Sequence, residues 1–475
     1  MGVLVVTGLF GHLIVMLWAQ HDFTPVEALV ALHSRMFVRG EGLYWGVTGY
    51  PFTISAYGPI FYAASGLLQS CGIPAYQSGR FLSYAALLTT LWMCWRTMGY
   101  LTLNPFVRAT AVILAASSAN LLFWGTTGQV DMLACCLSLA AFSAFLKFRQ
   151  AGNQRALALS GVFVVLAVFT KQTSIAAGAA IGLTLLCQHR RYAFPWIAGV
   201  AVAGGGIAFV LNALTHGGYF ADAIMANMNP FALFKLQQQA QYLVLTGCGV
   251  ILTALAGARR LSWIDAPVYI YAAFAATIWL LTAAKIGSDL NYQIETMLVL
   301  VMCAAVSLDR LEFFPSLFAA RRTWVTMLQL PLLLHLAVNL LLTARVIAER
   351  AILEPFKHRE TMAMKPFVDR PGRLLSGHYD SLIHVGRPIE VEPLIYGLLV
   401  NAGLTDPAPV LRDLEARRFA TLVLGHNLFA PRSPRDDPEF GRLPVVQEDA
   451  IRKHYYLVKH VDGPNDVYIY EPRSD

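Results

Sequence analysis

Charge is scarce in this chain. Only 14% of its 475 residues are Asp, Glu, Lys or Arg, where a soluble domain carries about a quarter. That deficit, with 56% hydrophobic residues, excludes an ordinary water-soluble globule over most of the length and points to lipid as solvent. Cysteine is missing from the last third. All seven cysteines, Cys71, Cys94, Cys135, Cys136, Cys187, Cys248 and Cys303, precede residue 304, so the tail is not a disulfide scaffold. No cysteine spacing resembles a zinc site, and the adjacent Cys135 and Cys136 read as helix-packing residues. No internal repeat of useful length is present. The scarce charge is also unevenly placed: residues 1–343 hold 18 Lys/Arg and 10 Asp/Glu, whereas 344–475 hold 18 and 19. The net charge of +7 therefore comes from the apolar part, where basic residues anchor loops, and nucleic-acid binding is not implied.

What the sequence has in abundance is long apolar runs. A bilayer core needs roughly 20 apolar residues per helix. Runs near 3–19, 81–97, 105–123, 129–147, 156–170, 173–187, 194–214, 240–257, 265–284, 293–308 and 324–343 predict about 11 transmembrane helices. The run 3–19 reads as an uncleaved first span, since it lacks a basic leading region and a small-residue cleavage site. The runs 156–170 and 173–187 are short and resemble a broken pair meeting at Lys171. With a cytoplasmic N-terminus, the cytoplasmic loops carry 12 basic residues, among them Arg149, Arg190, Arg191, Arg321 and Arg322, against 6 on the other side. This bias sets the orientation and puts the tail outside the cytoplasm.

The expected architecture is an α-helical polytopic membrane domain over 1–343 and a soluble extracytoplasmic α/β domain over 344–475. The outer loop 20–80 is too polar to span. Residues 25–39 form an amphipathic pattern, with Val26, Leu29, Val30, His33, Met36 and Phe37 on one face. Residues 57–69 are apolar but short, which suggests a second interfacial helix. In the tail, strand-like runs at Ala420–Leu424, Tyr455–Val458 and Val467–Tyr470 alternate with helical stretches such as Pro409–Arg417, and Pro431–Pro438 reads as a loop.

Ionisable groups at membrane depth are costly and point to function. Nearly all of them here collect at the outer ends of spans. Asp22 leaves the first span in the sequence HDFTPVE with no local structural task, and could act as a general base. Glu27 completes a capping box with Thr24 and Pro25, so a structural role competes with a catalytic one. Tyr57, in YGPIFY, is placed as an interfacial anchor or a pocket wall. Arg80, in GRFLS, could meet a phosphate or a carboxylate. Asp131 lies in GQVDM with no basic neighbour in sequence. Lys171 and Gln172 interrupt two apolar runs, where a lysine could meet a lipid phosphate. Lys285, Asp289, Asn291, Tyr292 and Glu295 form the last cluster, with Asn291 and Glu295 on one helix face. Together these predict one outward-facing cavity suited to a charged lipid headgroup and a hydroxyl-bearing acceptor. Isolated carboxylates without a tight ligand cluster give no indication of a divalent metal, and no cofactor is expected.

In order along residues 1–310, HDFTPVE, YGPIFY, GRFLS, GQVDM, the FTKQT run and NYQIE resemble the motifs of bacterial GT-C membrane glycosyltransferases of the protein-mannosyltransferase and aminoarabinose-transferase type. The tail resembles the extracytoplasmic domain that many members append. The resemblance implies a GT-C fold, a bacterial inner-membrane location, a polyprenyl-phosphate sugar donor and inversion at the anomeric carbon. It assigns to Asp22 first, and Glu27 second, the carboxylate that deprotonates or orients the acceptor hydroxyl. Tyr57, Arg80, Asp131, Lys171, Gln172, Asn291, Tyr292 and Glu295 are then expected around the substrates. Two departures matter: the second acidic residue is displaced to Glu27, and Gln129 stands where relatives of the aminoarabinose type carry a basic residue. The phosphate contact would then fall to Arg80 or Lys171. The acceptor is a glycan, a lipid or a protein. The competing reading is a transporter or flippase of a lipid-linked glycan. It fits less well, because a transporter places its binding residues near the bilayer midplane, between related halves.

Overall fold

The computed structural model describes residues 11, 15, 17, 19–260, 262–312, 323–430, 442–463 and 466–474. Most of the expected first span, the 431–438 loop, and Arg321 and Arg322 lie outside these residues. Two outer-loop helices come first, α1 (Pro25–Val38) and α2 (Pro59–Ser70). The apolar helices follow: α3 (Ala75–Met98), α4 (Pro105–Ser117), α5 (Ala119–Gly125), α6 (Asp131–Ala151), α7 (Gln154–Val168), α8 (Ala176–Gln188) and α9 (Arg190–Leu214). After a short helix α10 (Gly218–Ala223) come α11 (Leu233–Gly257), α12 (Ala266–Ala283), α13 (Ile294–Arg310) and α14 (Thr323–Val368).

Among the described residues, 6 helices are long and apolar enough to cross a membrane, or 7 if α4 and α5, bent by 64°, are one span. The chain is a membrane-spanning protein, and eleven spans are not reached by this measure. α7 and α8 are shorter, at 15 and 13 residues, and the Lys171 turn lies between them. The run 105–123 is continuous in hydropathy but breaks at Ser118, whose extended backbone (ψ 114°) ends α4. The helices share one apolar core, with Phe142, Phe145, Tyr271, Met297 and Val301 fully buried.

α14 is 46 residues long. It begins as the last apolar run and continues without a break past residue 343, so the expected domain boundary falls inside a helix. Hydropathy ends there but helical backbone does not, and the charged half of α14 carries the chain to the tail.

The tail holds a four-stranded sheet in the order β1-β2-β4-β3, made of Arg373–Ser376, Phe419–Leu424, Val467–Pro472 (β4) and Tyr455–Val461 (β3). β1 and β2 are parallel and the other pairs antiparallel. The helices α15 (Tyr379–Val385), α16 (Pro393–Asn401), α17 (Ala408–Glu415) and α18 (Val445–His454) complete it. Alternate residues of a strand face opposite ways. Leu375, Leu422 and Tyr470 pack on Val410, Leu414 and Ile451 of the tail helices. Leu374, Val423 and Ile469 pack on Ala28, Leu32 and Met36 of α1 and on Met364 and Val368 of α14. The outer-loop helix thus lies under the tail sheet through Ala28, Leu32 and Met36, while Val26 and Phe37 of the expected apolar face are exposed and Val30 packs instead with Phe61 and Tyr62; this docking brings Asp22 beneath the tail.

Candidate functional site

The outer loop is pinned by one buried ion pair. Glu27 and Arg80 are both fully buried. Arg80 Nε donates to Glu27 Oε1 at 2.8 Å and Nη2 to Oε2 at 3.0 Å. The guanidinium also donates to the carbonyls of Ala19 and His21, each at 2.7 Å. Glu27 further accepts from the backbone N–H of Gly128 at 2.7 Å and of Phe23 at 2.9 Å. Burial alone would raise its pKa, but Arg80 and these donors outweigh that and hold it below its ordinary value. Thr24 caps α1, its hydroxyl accepting from Glu27 N at 3.2 Å, and Gln129 Nε2 donates to the same hydroxyl at 2.6 Å. Gly128 suits this contact, because a Cβ there would lie 3.3 Å from Glu27 Oε1. The HDFTPVE and GQVDM motifs are therefore bonded to each other. For each of these two residues the sequence left a structural and a substrate-facing reading open, and the placement fits the structural one. Arg80 faces carboxylate and carbonyl oxygens instead of a cavity, and Glu27 has both oxygens engaged by donors of the protein.

Asp22 is placed differently. Lys357, on the charged half of α14, donates to Asp22 Oδ1 at 2.7 Å and to its carbonyl at 2.6 Å. Burial raises the Asp22 pKa from its ordinary value, opposed by the Lys357 charge. Asp22 lines a cavity of about 390 Å³ whose other walls are Pro25 of α1 and residues of the tail, His378, Asp380, Leu394 and His426 among them.

The third group sits between α6, the α7–α8 turn and the start of α13. Lys171 Nζ lies 2.5 Å from Asp131 Oδ1 and 3.9 Å from the centre of the Tyr292 ring. Asn291 Nδ2 donates to the same Asp131 oxygen at 3.0 Å. Tyr271 donates to Glu295 Oε1 at 2.6 Å. Asp131, Lys171, Asn291, Tyr292 and Glu295 line one small cavity of about 30 Å³. There Asp131 Oδ2 and Asn291 Oδ1 are buried without a hydrogen-bond partner in the protein. Gln172 is turned away, donating to the carbonyls of Ala56 and Ala223 at 3.1 Å each. This fastens the YGP segment to the lysine turn. Gly58 makes the contact feasible, since a Cβ there would overlap the Phe169 carbonyl.

Between these two places lies a cavity of about 170 Å³ lined by Tyr57, His33, Lys285, Tyr292, Tyr379 and Glu392, among others. It shares Pro25, Tyr379 and Leu394 with the Asp22 cavity and Tyr292 with the lysine cluster. Lys285 has its pKa lowered by burial and by the nearby charge of Lys171. The central cavity also holds a hydrogen-bonded line. His33 Nε2 lies 2.9 Å from Thr53 Oγ1, which donates to Glu392 Oε2 at 2.8 Å. Burial lowers the His33 pKa to about 3 and raises that of Glu392 to about 7. Three adjoining hollows thus run from Asp22 to Lys171, with two lysines at the inner end and aromatic walls between. Lys285 appeared in the sequence cluster without a role. Lys357 went unnoticed, because 335 residues separate it from Asp22.

Residues 62–216 match the model of the dolichyl-phosphate-mannose-protein mannosyltransferase family. The whole chain is similar in structure to ArnT from Cupriavidus metallidurans bound to undecaprenyl phosphate. The TM-score is 0.67 at 12% identity, over 99% of this chain and 98% of that one. The apo form of the same protein gives 0.66 at 12% identity, over 98% and 97%. The oligosaccharyltransferase of Archaeoglobus fulgidus gives 0.52 at 11% identity, over 99% of this chain and 73% of that one. No curated protein matches by sequence. The resemblance read from six short motifs is borne out at the level of the fold: this chain has the fold seen in ArnT.

Proposed function

We propose that the chain is a glycosyltransferase that moves a sugar from a polyprenyl-phosphate carrier to an acceptor hydroxyl on the extracytoplasmic face of the membrane, with inversion at the anomeric carbon. The observation that carries this reading is the run of adjoining cavities, with Asp22 at one end and two lysines at the other. A lipid-linked sugar phosphate needs cations for its phosphate, a walled space for its sugar and a base for its acceptor. The solved ArnT bound to undecaprenyl phosphate supports a donor of that class.

In the proposed reaction Asp22 takes the proton of the acceptor hydroxyl, and the acceptor oxygen bonds to the anomeric carbon as the bond to the phosphate oxygen breaks. Lys171 and Lys285 stabilise the leaving phosphate. Tyr57 and Tyr292 wall the sugar, and the unpartnered oxygens of Asp131 and Asn291 accept its hydroxyl protons. Glu295, held by Tyr271, lines the same cavity and adds a further acceptor for the sugar. Lys357 sets the direction of the Asp22 carboxylate. Glu27, Arg80 and Gln172 act at one remove, by holding the loops that carry these groups. The soluble domain over the tail, entered through α14, closes the acceptor side. The residues described use no metal in this scheme.

The test is transfer from radiolabelled polyprenyl-phosphate sugars into an acceptor fraction prepared from membranes, with the full-length protein in detergent. Transfer by the wild type and none by Asp22→Asn, with donor still bound, is the expected result. Normal turnover by Asp22→Asn would remove the assigned base.

A further inference from the structure

One cluster, which shares Asp380 with the wall of the Asp22 cavity, is assigned no step in this reaction. His21 Nδ1 lies 2.8 Å from Asp380 Oδ2. His384 Nε2 lies 3.6 Å from Asp380 Oδ1. The two imidazole rings are 4.8 Å apart between centroids. A single ligand atom from each residue lies within 4.8 Å of the other two.

We propose that His21, Asp380 and His384 bind a divalent transition metal of the zinc class, as a clasp between the loop that carries Asp22 and the tail helix α15. Two imidazoles and one carboxylate are a donor set that suits zinc over magnesium or calcium, which prefer oxygen alone. Zinc bonds of about 2.0–2.2 Å put tetrahedral ligands about 3.3 Å apart. The observed contacts bracket that spacing, so small rotations of the rings would complete the site. Asp380 is already oriented as a ligating carboxylate is, by hydroxyls behind it: Tyr76 donates to Oδ1 at 2.5 Å and Thr361 to Oδ2 at 2.7 Å. His358 Nδ1 stands 3.4 Å from His21 Nε2, on the ring edge turned away from Asp380, where it supports the imidazole from behind. His21 and Asp380 are buried, while the His384 side chain keeps 25% exposure, which leaves a path for the ion. The nearby charges are Lys357, already paired with Asp22, and Glu354, which accepts from Gln20 N at 2.5 Å.

No local pattern marks this site, because His21 and Asp380 are 359 positions apart. Only the docking of the tail sheet on α1 and α14 brings them together. A metal there would fix the residue next to Asp22 against the tail. The site does not depend on the sugar-transfer reading.

The experiment uses the full-length protein in detergent, stripped with EDTA and titrated with ZnCl₂ against a chromophoric chelator, with metal content read by mass spectrometry. The expected result is one equivalent of zinc, bound more tightly than about 1 μM, with a rise in the thermal midpoint. His384→Ala, on the exposed rim, should weaken binding at least about 100-fold and abolish that rise, and Asp380→Asn should do the same. Cobalt(II) in place of zinc should give the intense visible absorption of a low-coordinate site. His460→Ala removes a separate exposed cluster of His460, Asp462 and Asp466 and should change nothing. Zinc retained in His384→Ala, zinc lost in His460→Ala, or no binding by the wild type would each overturn the proposal and leave a hydrogen-bonded clamp only.

Discussion

Asp22, just before α1, and Glu27, in its first turn, are both withdrawn from solvent and both paired with a cation, yet their surroundings differ in the way that matters for chemistry. Glu27 is closed: Arg80, Gly128 N and Phe23 N fill its oxygens. Asp22 is held by Lys357, and it borders a cavity of about 390 Å³. Burial and a charged partner do not by themselves mark a reactive carboxylate. An unfilled space beside it does. The same distinction separates Arg80 from Lys171 and Lys285. Arg80 is spent on oxygens of the chain and borders none of the three hollows, whereas Lys171, though paired with Asp131, and Lys285 each line one.

The comparison can be broken first at Asp22. Asp22→Asn should lower transfer by about 100- to 10,000-fold, the range for loss of a general base, with a thermal midpoint close to wild type. A midpoint that falls with the activity would make Asp22 another structural carboxylate. The opposite outcome is expected across the loop. Arg80→Ala leaves Glu27 buried and unpaired and should cost about 3–5 kcal/mol of stability, seen as a large loss of folded protein in denaturant or thermal scans. Unchanged stability there would mean that the pair does not anchor the loop.

A third prediction concerns pH. Glu392 has its pKa raised from 4.5 to about 7 by burial, so the folded state holds a proton that the unfolded state gives up. Its contribution is therefore lost as pH rises from about 4.5 to 7 and then levels off. Glu392→Gln should gain stability over wild type across that window, reaching roughly 3 kcal/mol above pH 7. His33, with its pKa lowered to about 3, acts in the reverse sense between about 3 and 6.5, so the difference between variant and wild type isolates the glutamate. A flat difference would refute the assignment. The smallest effect is expected at the helix cap: Thr24→Ala should cost about 1 kcal/mol, measurable as a modest shift in thermal midpoint.

Much of the fold could be read from the sequence, for definite reasons. The helical pattern at 25–39 is met by α1 and the short run at 57–69 by α2, but the face of α1 that packs on the sheet carries Ala28, Leu32 and Met36, not Val26 and Phe37. Three of the four strands were visible as β-branched and aromatic runs. β1 was not, because RLLS is four residues long and offers little pattern. The run of α14 past 343 was hidden because hydropathy, on which the boundary was placed, says nothing about backbone continuity. For the site, residues near one another in sequence were easier to group, and the structure brings Asn291, Tyr292 and Glu295 to one cavity with Asp131 and Lys171. Arg80 looked like a phosphate cation because it sits at the outer end of a span. The loop that folds over it, and the oxygens it offers, belong to tertiary structure. Lys357 and Asp380 lie in the charged half of α14 and in the tail, and no local pattern ties them to Asp22 and His21.

The central claim is that the adjoining cavities hold a polyprenyl phosphate at their lysine end. Mass spectrometry of lipid retained by the purified protein tests it most directly. The account predicts a polyprenyl-phosphate mass on the wild type and on Asp22→Asn, and its loss or marked reduction in Lys285→Ala and Lys171→Ala. Equal retention by the lysine variants, or no such lipid on folded wild type supplied with undecaprenyl phosphate, would contradict it.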